Sequence, residues 1–197
     1  MNNLGIVASS ISGSKTSTSS FESIATTTVG SGGSASITFS SIPSTYSALQ
    51  IRILSQTNRA TTPIDSLYFQ FNADTGNNYW YHNFYTNGTT ISAGSSGAAV
   101  ARIIPVINGT AGSVAGTNVF GVGIVDVQDY ASTSKYKVLR AFQGSDLNGA
   151  VAATYGNMGI GSGMWNSTSA ITSITVAMVQ GTLFSQYSSF ALYGIKG

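Results

Sequence analysis

The chain is predicted to be all-β: a single antiparallel β-sandwich or jelly roll over residues 21–197, preceded by an extended N-terminal arm over residues 1–20. Tyr, Phe, Val, Ile and Thr, which favour strands, are abundant in a chain with 42% hydrophobic residues. Short β-rich runs recur at roughly 8–15-residue intervals between Gly, Asn and Pro turns, a spacing typical of sandwiches. No window of about 15 residues shows the apolar period of an amphipathic helix.

The first predicted strands follow the arm in order. Residues 21–29 form a Thr-rich strand, and three alternating strands follow, in each of which one face is apolar and can pack on a core. Pro43, which cannot donate to a ladder, separates the first two of these three. Their apolar residues are Ala35, Ile37 and Phe39, then Leu49, Ile51 and Ile53, then Leu67, Phe69 and Phe71.

The middle of the chain is less regular. Residues 79–85 form a strand with large rings on both faces. Residues 100–107 form a predicted strand that Pro105 places at a sheet edge. Residues 119–127 are the most apolar run and predict a buried strand, and residues 136–142 predict another after a polar loop.

The last stretch predicts a β-hairpin that forms a central pair of a sheet. Residues 171–179 and 184–195 are β-rich and are joined by a short polar connection containing Gly181. Alternation gives each arm one apolar face, formed by Ile174, Val176 and Met178 in the first arm and by Phe190 and Leu192 in the second.

The N-terminal arm is rich in Ser, Thr and Gly and has too few apolar residues to fold on itself. We expect a neighbouring subunit to hold it, with packing on its own domain as the alternative. The side chains expected to contact the partner are Leu4, Ile6, Val7 and Ile11.

Composition argues against several classes of function. Charged residues make up 7% of the chain and the net charge is +2, with Lys135, Lys137 and Arg140 as the only local basic group, so nucleic-acid binding is not expected. There is no cysteine, and no apolar run long enough for a membrane span. A surface with so little charge suits a large assembly or contact with carbohydrate, and a homo-oligomer, a trimer or a lattice-bound form, is predicted.

Candidate chemistry is sparse, and no enzyme, cofactor or metal is predicted. His82 is the only histidine and has no nucleophile or carboxylate motif beside it. Oxygen ligands suit calcium, and two groups could supply them: Asp74 with Asn77 and Asn78, or Asp126 with Asp129. Asp and Asn are also the usual residues of turns.

The aromatic strand is the best binding candidate. Tyr79, Tyr81 and Tyr85 share one face and could stack on sugar rings while Trp80, His82 and Phe84 face the core, and the opposite assignment is equally open. Packing in the core or at a subunit interface is the favoured interpretation.

Four stretches, residues 71–79 (FNADTGNNY), 129–137 (DYASTSKYK), 167–174 (STSAITSI) and 190–196 (FALYGIK), resemble a recurring domain of tailed-bacteriophage structural proteins. The resemblance runs from about Phe21 to the C-terminus and implies a β-sandwich of the virion surface. It brings no catalytic residues. It implies other virion proteins as partners, namely the major capsid protein or tail proteins, because the domain occurs in capsid surface proteins and in tail fibres. We therefore expect a capsid decoration (cement) protein, with a tail-fibre module that recognises host glycans as the alternative.

Overall fold

In the computed structural model, residues 20–147 and 156–197 are described, and they form two β-sheets. The thirteen strands are β1 (Phe21–Thr28), β2 (Ile37–Phe39), β3 (Ala48–Thr57), β4 (Ile64–Asp65), β5 (Leu67–Phe71), β6 (Tyr79–Thr86), β7 (Ile91–Ser95), β8 (Thr110–Gly112), β9 (Gly121–Gln128), β10 (Lys137–Asp146), β11 (Gly156–Trp165), β12 (Ile174–Met178) and β13 (Ser189–Ile195). One turn of 3₁₀ helix, Ser113–Ala115, follows β8.

The large sheet has the order β1-β13-β3-β9-β10-β11-β6-β7, with β8 and β4 attached to β3, and the small sheet has the order β2-β12-β5. Every strand pair is antiparallel except β3 with β8. The two sheets form a sandwich-like arrangement that is not closed into a barrel, which confirms the predicted all-β sandwich class.

The core lies between the small sheet and one face of the large sheet. Alternating residues of β3, β9, β10 and β13 point into it, as the sequence pattern requires, and the predicted inward residues Phe190 and Leu192 are fully buried. One end is filled by three rings, Phe71, Tyr79 and Trp165, whose centroids lie 5.8–6.3 Å apart. Aromatic groups at such distances pack favourably edge-on or offset.

The predicted C-terminal hairpin is wrong, although both of its strands exist. β12 lies in the small sheet between β2 and β5, whereas β13 lies in the large sheet between β1 and β3. The connection therefore crosses from one layer to the other. Side chains bind its backbone: Asp65 accepts from Gly181 N at 2.8 Å, and Asn58 Oδ1 accepts from Leu183 N at 3.0 Å. These bonds replace the ladder that a hairpin would have made.

The predicted edge strand at residues 100–107 is also wrong. Residues 100–109, here called the covering segment, lie across the inner face of β11, and Ile103 bonds Phe69 of β5 through both backbone groups. Glycine permits this contact, because a Cβ at Gly161 would lie 1.7 Å from Pro105 O. The covering segment continues the layer of the small sheet where that sheet has no further strand.

The arm prediction falls mostly on residues 1–19, outside the described residues, and so do Leu4, Ile6, Val7 and Ile11. Ser20 is described, and its carbonyl accepts a hydrogen bond from Lys196 N at 3.0 Å.

Candidate functional site

The outer face of the large sheet carries the most unusual surface of the described residues. Nine large apolar side chains project from it and are each 40–80% exposed. We call this surface the apolar face, and its residues are Trp80 and Phe84 on β6, Ile91 on β7, Val122 and Ile124 on β9, Val138 and Phe142 on β10, and Met158 and Ile160 on β11. Exposed apolar surface on this scale usually marks an interaction site.

Strand register places four of these nine residues in one continuous row. Ile124 lies opposite Phe142, Phe142 opposite Ile160, and Ile160 opposite Phe84. Neighbouring strands are about 4.8 Å apart, so this central row runs roughly 14 Å across four strands. Residues far apart in sequence thus form one apolar strip.

A polar row lies beside the central row, two residues away on each of the four strands, and separates Val138 and Trp80 from it. Asp126 accepts hydrogen bonds from Gln50 Nε2 at 2.9 Å and from Arg140 Nε at 3.2 Å. Ser162 Oγ and His82 Nε2 lie 3.2 Å apart. The two charges of this row, Asp126 and Arg140, are therefore paired with each other, and such a partly exposed ion pair contributes little to stability.

Two depressions flank Phe142 on this surface. The first, about 470 Å³, lies between the central row and the polar row, and its lining includes Ile124, Phe84, Arg140 and His82. The second, about 600 Å³, is lined in part by Val122 and Met158. Cavities of this size lie in the range of ligand sites.

The aromatic strand is oriented opposite to the sugar-stacking assignment. Tyr79 is fully buried, Tyr81 is partly buried against the core, and Tyr85 is partly buried on the same side. Tyr79 as a partner-binding residue is therefore wrong for this chain. Its hydroxyl accepts from Phe71 N at 3.0 Å and lies 3.0 Å from Asp74 O, and burial raises the pKa of Tyr79 to about 12.

The opposite side chains of the same strand, Trp80, His82 and Phe84, are exposed on the apolar face. The sequence could not choose between the two orientations, because both sides of this strand carry large rings.

The same face corrects one prediction about neighbouring residues. The run at residues 119–127 was expected to be buried, yet Val122 and Ile124 point outward, while Gly121, Gly123 and Val125 point inward. The alternation of glycine with large aliphatic residues was the available signal. The local basic group does not form a patch: Lys137 is fully buried and Lys135 pairs with Asp129 at 3.0 Å.

Three of the four stretches behind the phage resemblance meet at one end of the sandwich. Asn72 Oδ1 accepts from Thr172 N at 2.8 Å, which joins the first stretch to the third. Ile171 N donates to Tyr130 O at 2.8 Å, and Lys137 Nζ donates to Thr168 O at 3.2 Å, which join the second to the third. These motif residues build the fold and do not line the apolar face.

Four of the five suggested calcium ligands, Asp74, Asn78, Asp126 and Asp129, have hydrogen-bonding partners within the chain. The Asp74 carboxylate accepts from Trp165 Nε1 at 2.7 Å, Gly76 N at 2.8 Å and Asn78 Nδ2 at 3.0 Å. Burial acts to raise the pKa of Asp74, but these bonds outweigh it and hold the pKa below its usual 3.8. Asp126 and Asp129 pair with Arg140 and Lys135. In residues 20–147 and 156–197, no three His, Asp or Glu side chains come together as a metal site.

Across the same two ranges, no helix is long and apolar enough to cross a membrane. Comparison of the chain with protein-family models, curated proteins and solved structures gave no match.

Proposed function

We propose that this protein is a non-enzymatic structural protein of a phage virion that decorates the capsid surface. The observation that carries the proposal is the apolar face, because exposed apolar surface of this size usually marks a site where another protein binds, as the subunits of a virion bind one another. The resemblance of residues 71–79, 129–137, 167–174 and 190–196 to virion proteins supports the virion as the setting.

The setting of the hydroxyl–histidine contact in the described part of the chain also supports a non-enzymatic role. Ser162 and His82 could resemble a nucleophile and its base. Many hydrolases bind the oxyanion with free backbone N–H donors, whereas Ser162 lies inside β11 with a ladder on both sides, opposite Arg140 and His82. The backbone donors around Ser162 are therefore already committed to the sheet.

The proposal is tested on purified phage particles that carry this chain. We expect quantitative mass spectrometry to find the chain in many copies per particle, and electron microscopy to place it on the capsid lattice. A few copies at the tail would contradict the capsid placement. Complete absence from purified particles would contradict a virion role.

A second candidate function, recognition of host-surface glycans by a tail fibre, is favoured by the exposed rings of Trp80 and Phe84 beside the polar row. Aromatic faces with nearby polar groups suit sugar rings. If this is the function, Trp80→Ala and Phe84→Ala should each abolish binding on a glycan array and reduce host adsorption, whereas Tyr187→Ala, at an exposed ring outside the face, should not. An array without hits, together with unchanged adsorption, contradicts this candidate.

A further inference from the structure

The area of the apolar face matches one side of a stable protein–protein interface. Its nine apolar side chains are 40–80% exposed. With about 150–200 Å² for each large side chain, they present on the order of 800 Å² to solvent, the area that each partner of a standard complex buries. The largest patch on a typical monomer is smaller, about 300–600 Å².

The charge of the face indicates the chemistry of its occupant. Asp126 pairs with Arg140, and Asp146 at the end of β10 is a further charge beside the second depression, so the face carries little net charge and offers few ion pairs to a strongly acidic or basic partner. An apolar surface with little net charge fits another surface of the same kind. A second copy of this chain supplies such a surface. A net charge of +2 opposes such self-association only weakly.

The arrangement of the rows suits a two-fold pair. Phe142 and Ile160 are opposite each other on β10 and β11, near the middle of the face. A two-fold axis between them places the central row of one copy against that of the other, since in such an interface both partners use the same patch. The depressions beside Phe142 give the partner's projecting side chains room at the usual sheet separation of about 10 Å.

From these observations we infer that the occupant of the apolar face is the same face of a second copy of this chain, in an isologous two-fold pair. The inference rests on the proposed function in one respect: the pair is the form in which the chain would join a particle. The predicted trimer would require a different, non-isologous use of this face.

Sedimentation of the full chain tests the inference. Wild type should sediment at twice the 20.3 kDa chain mass at micromolar concentration. Phe142→Glu and Ile160→Glu should each raise the dissociation constant about thirtyfold or more, as for a central contact residue, and leave a folded monomer because both side chains point outward. A melting curve confirms that each variant is folded.

A matched pair of variants separates loss of the interface from a general effect of added charge. Ile124 on the face and Val114 on the 3₁₀ helix are similar aliphatic residues, 43% and 45% exposed. Ile124→Glu should dissociate the pair, and Val114→Glu should leave it intact. Equal behaviour of the two variants overturns the inference.

Tryptophan fluorescence gives an independent measurement. The chain has two tryptophans: Trp165 is buried in the core, and Trp80 is 40% exposed on the face. Dilution through the dissociation constant should shift the emission to longer wavelength as Trp80 becomes solvated, and Trp80→Phe should remove that shift. Emission independent of concentration, with a monomer mass, overturns the inference.

The outcomes distinguish this inference from the proposed function. A monomer that binds particles through the face, and loses that binding with Phe142→Glu, overturns the pair and leaves the virion role intact. A trimer mass, or a monomer that binds a glycan at the face, also overturns the pair. A stable pair that is missing from purified particles supports the inference and contradicts the proposed function.

Discussion

At the scale of single residues, the polar side chains that look most like ligands in the sequence serve as connectors. Asn72 and Asp74 lie just after β5. Asn72, which has a positive φ of 52°, accepts a hydrogen bond from the backbone N–H of Thr172, in the segment after β11. Asp74 accepts one from the ring N–H of Trp165, at the end of β11. Asx side chains tolerate this conformation and can satisfy local donors. The same residue types predict a turn or a calcium site equally well. Here their side-chain oxygens accept hydrogen bonds from N–H groups of the chain, so they form a turn.

The Asp74 carboxylate should make stability depend on pH. Its pKa is lowered in the folded state, so the unfolded chain binds the proton first as the pH falls below about 4, and the stabilisation is lost as the pH falls further through the folded-state pKa. Asp74→Asn should lower the free energy of unfolding by about 1.5–3 kcal/mol at neutral pH. The variant loses a hydrogen bond to a charged carboxylate, and its amide NH₂ group lies against N–H groups that also donate. Urea unfolding at neutral pH and near pH 3 should show the gap between the two proteins narrowing.

Asp129→Asn is the matched control for this prediction. Asp129 is 52% exposed at its side chain and makes a surface ion pair with Lys135, so its replacement should change stability by less than about 1 kcal/mol at either pH. A gap between wild type and Asp74→Asn that stays constant with pH would show that the Asp74 charge has no role.

At the scale of elements, the close contact between β11 and the covering segment is the most demanding feature. The inner face of β11 carries Gly159, Gly161 and Gly163, and the covering segment takes the space that side chains would otherwise fill. Tight packing of this kind leaves no room for an added methyl group. An element without regular secondary structure thereby becomes part of the core layer.

Gly161→Ala should therefore destabilise the protein at the upper end of the about 1–3 kcal/mol that overpacking costs, or more, because the obstacle is the backbone carbonyl of Pro105. The denaturation midpoint measures this effect. Gly30→Ala is the control: a Cβ at Gly30 meets nothing within 4 Å, so its midpoint should stay the same or rise slightly. Equal midpoints for the two variants would contradict the packing of the covering segment on β11.

At the scale of the whole molecule, the two faces of the large sheet differ in what covers them. The inner face meets the small sheet and the covering segment, while the outer face of β6, β7, β9, β10 and β11 has no described part of the chain packed over it. Both faces of the large sheet are therefore apolar, and folding of the described chain buries only the inner one. The outer one, the apolar face, is the basis of the proposed assembly.

The N-terminal arm gives a prediction at this scale. Deleting residues 1–19 should leave the melting temperature unchanged, because the described sandwich has its own core, and should abolish attachment to particles that lack the protein. Burial of Leu4, Ile6, Val7 and Ile11 on a partner, at roughly 1.5–3 kcal/mol each, would offset much of the cost of ordering the arm. A sharp drop in melting temperature would assign the arm to its own fold. Full binding by the truncated chain would move the contact to the sandwich.

The sequence by itself determined the fold class and much of the core. Alternation in residues 37–39, 49–53, 67–71 and 190–192 correctly identified their buried sides, because the two-residue period of a strand is a local property. Turns at Asn72 and Pro43 could be placed for the same reason.

Only the tertiary structure decided which strands pair and which apolar side stays outside. β12 and β13 looked like a hairpin, yet each has its partners far away in the chain, and local pattern carries no information about distant partners. Where both sides of a strand are apolar, as in β6, or where glycine alternates with large residues, as in β9, alternation identifies two sides without saying which one meets the core. The apolar face is the sum of those choices, because it exists only once five separate strands lie side by side in register.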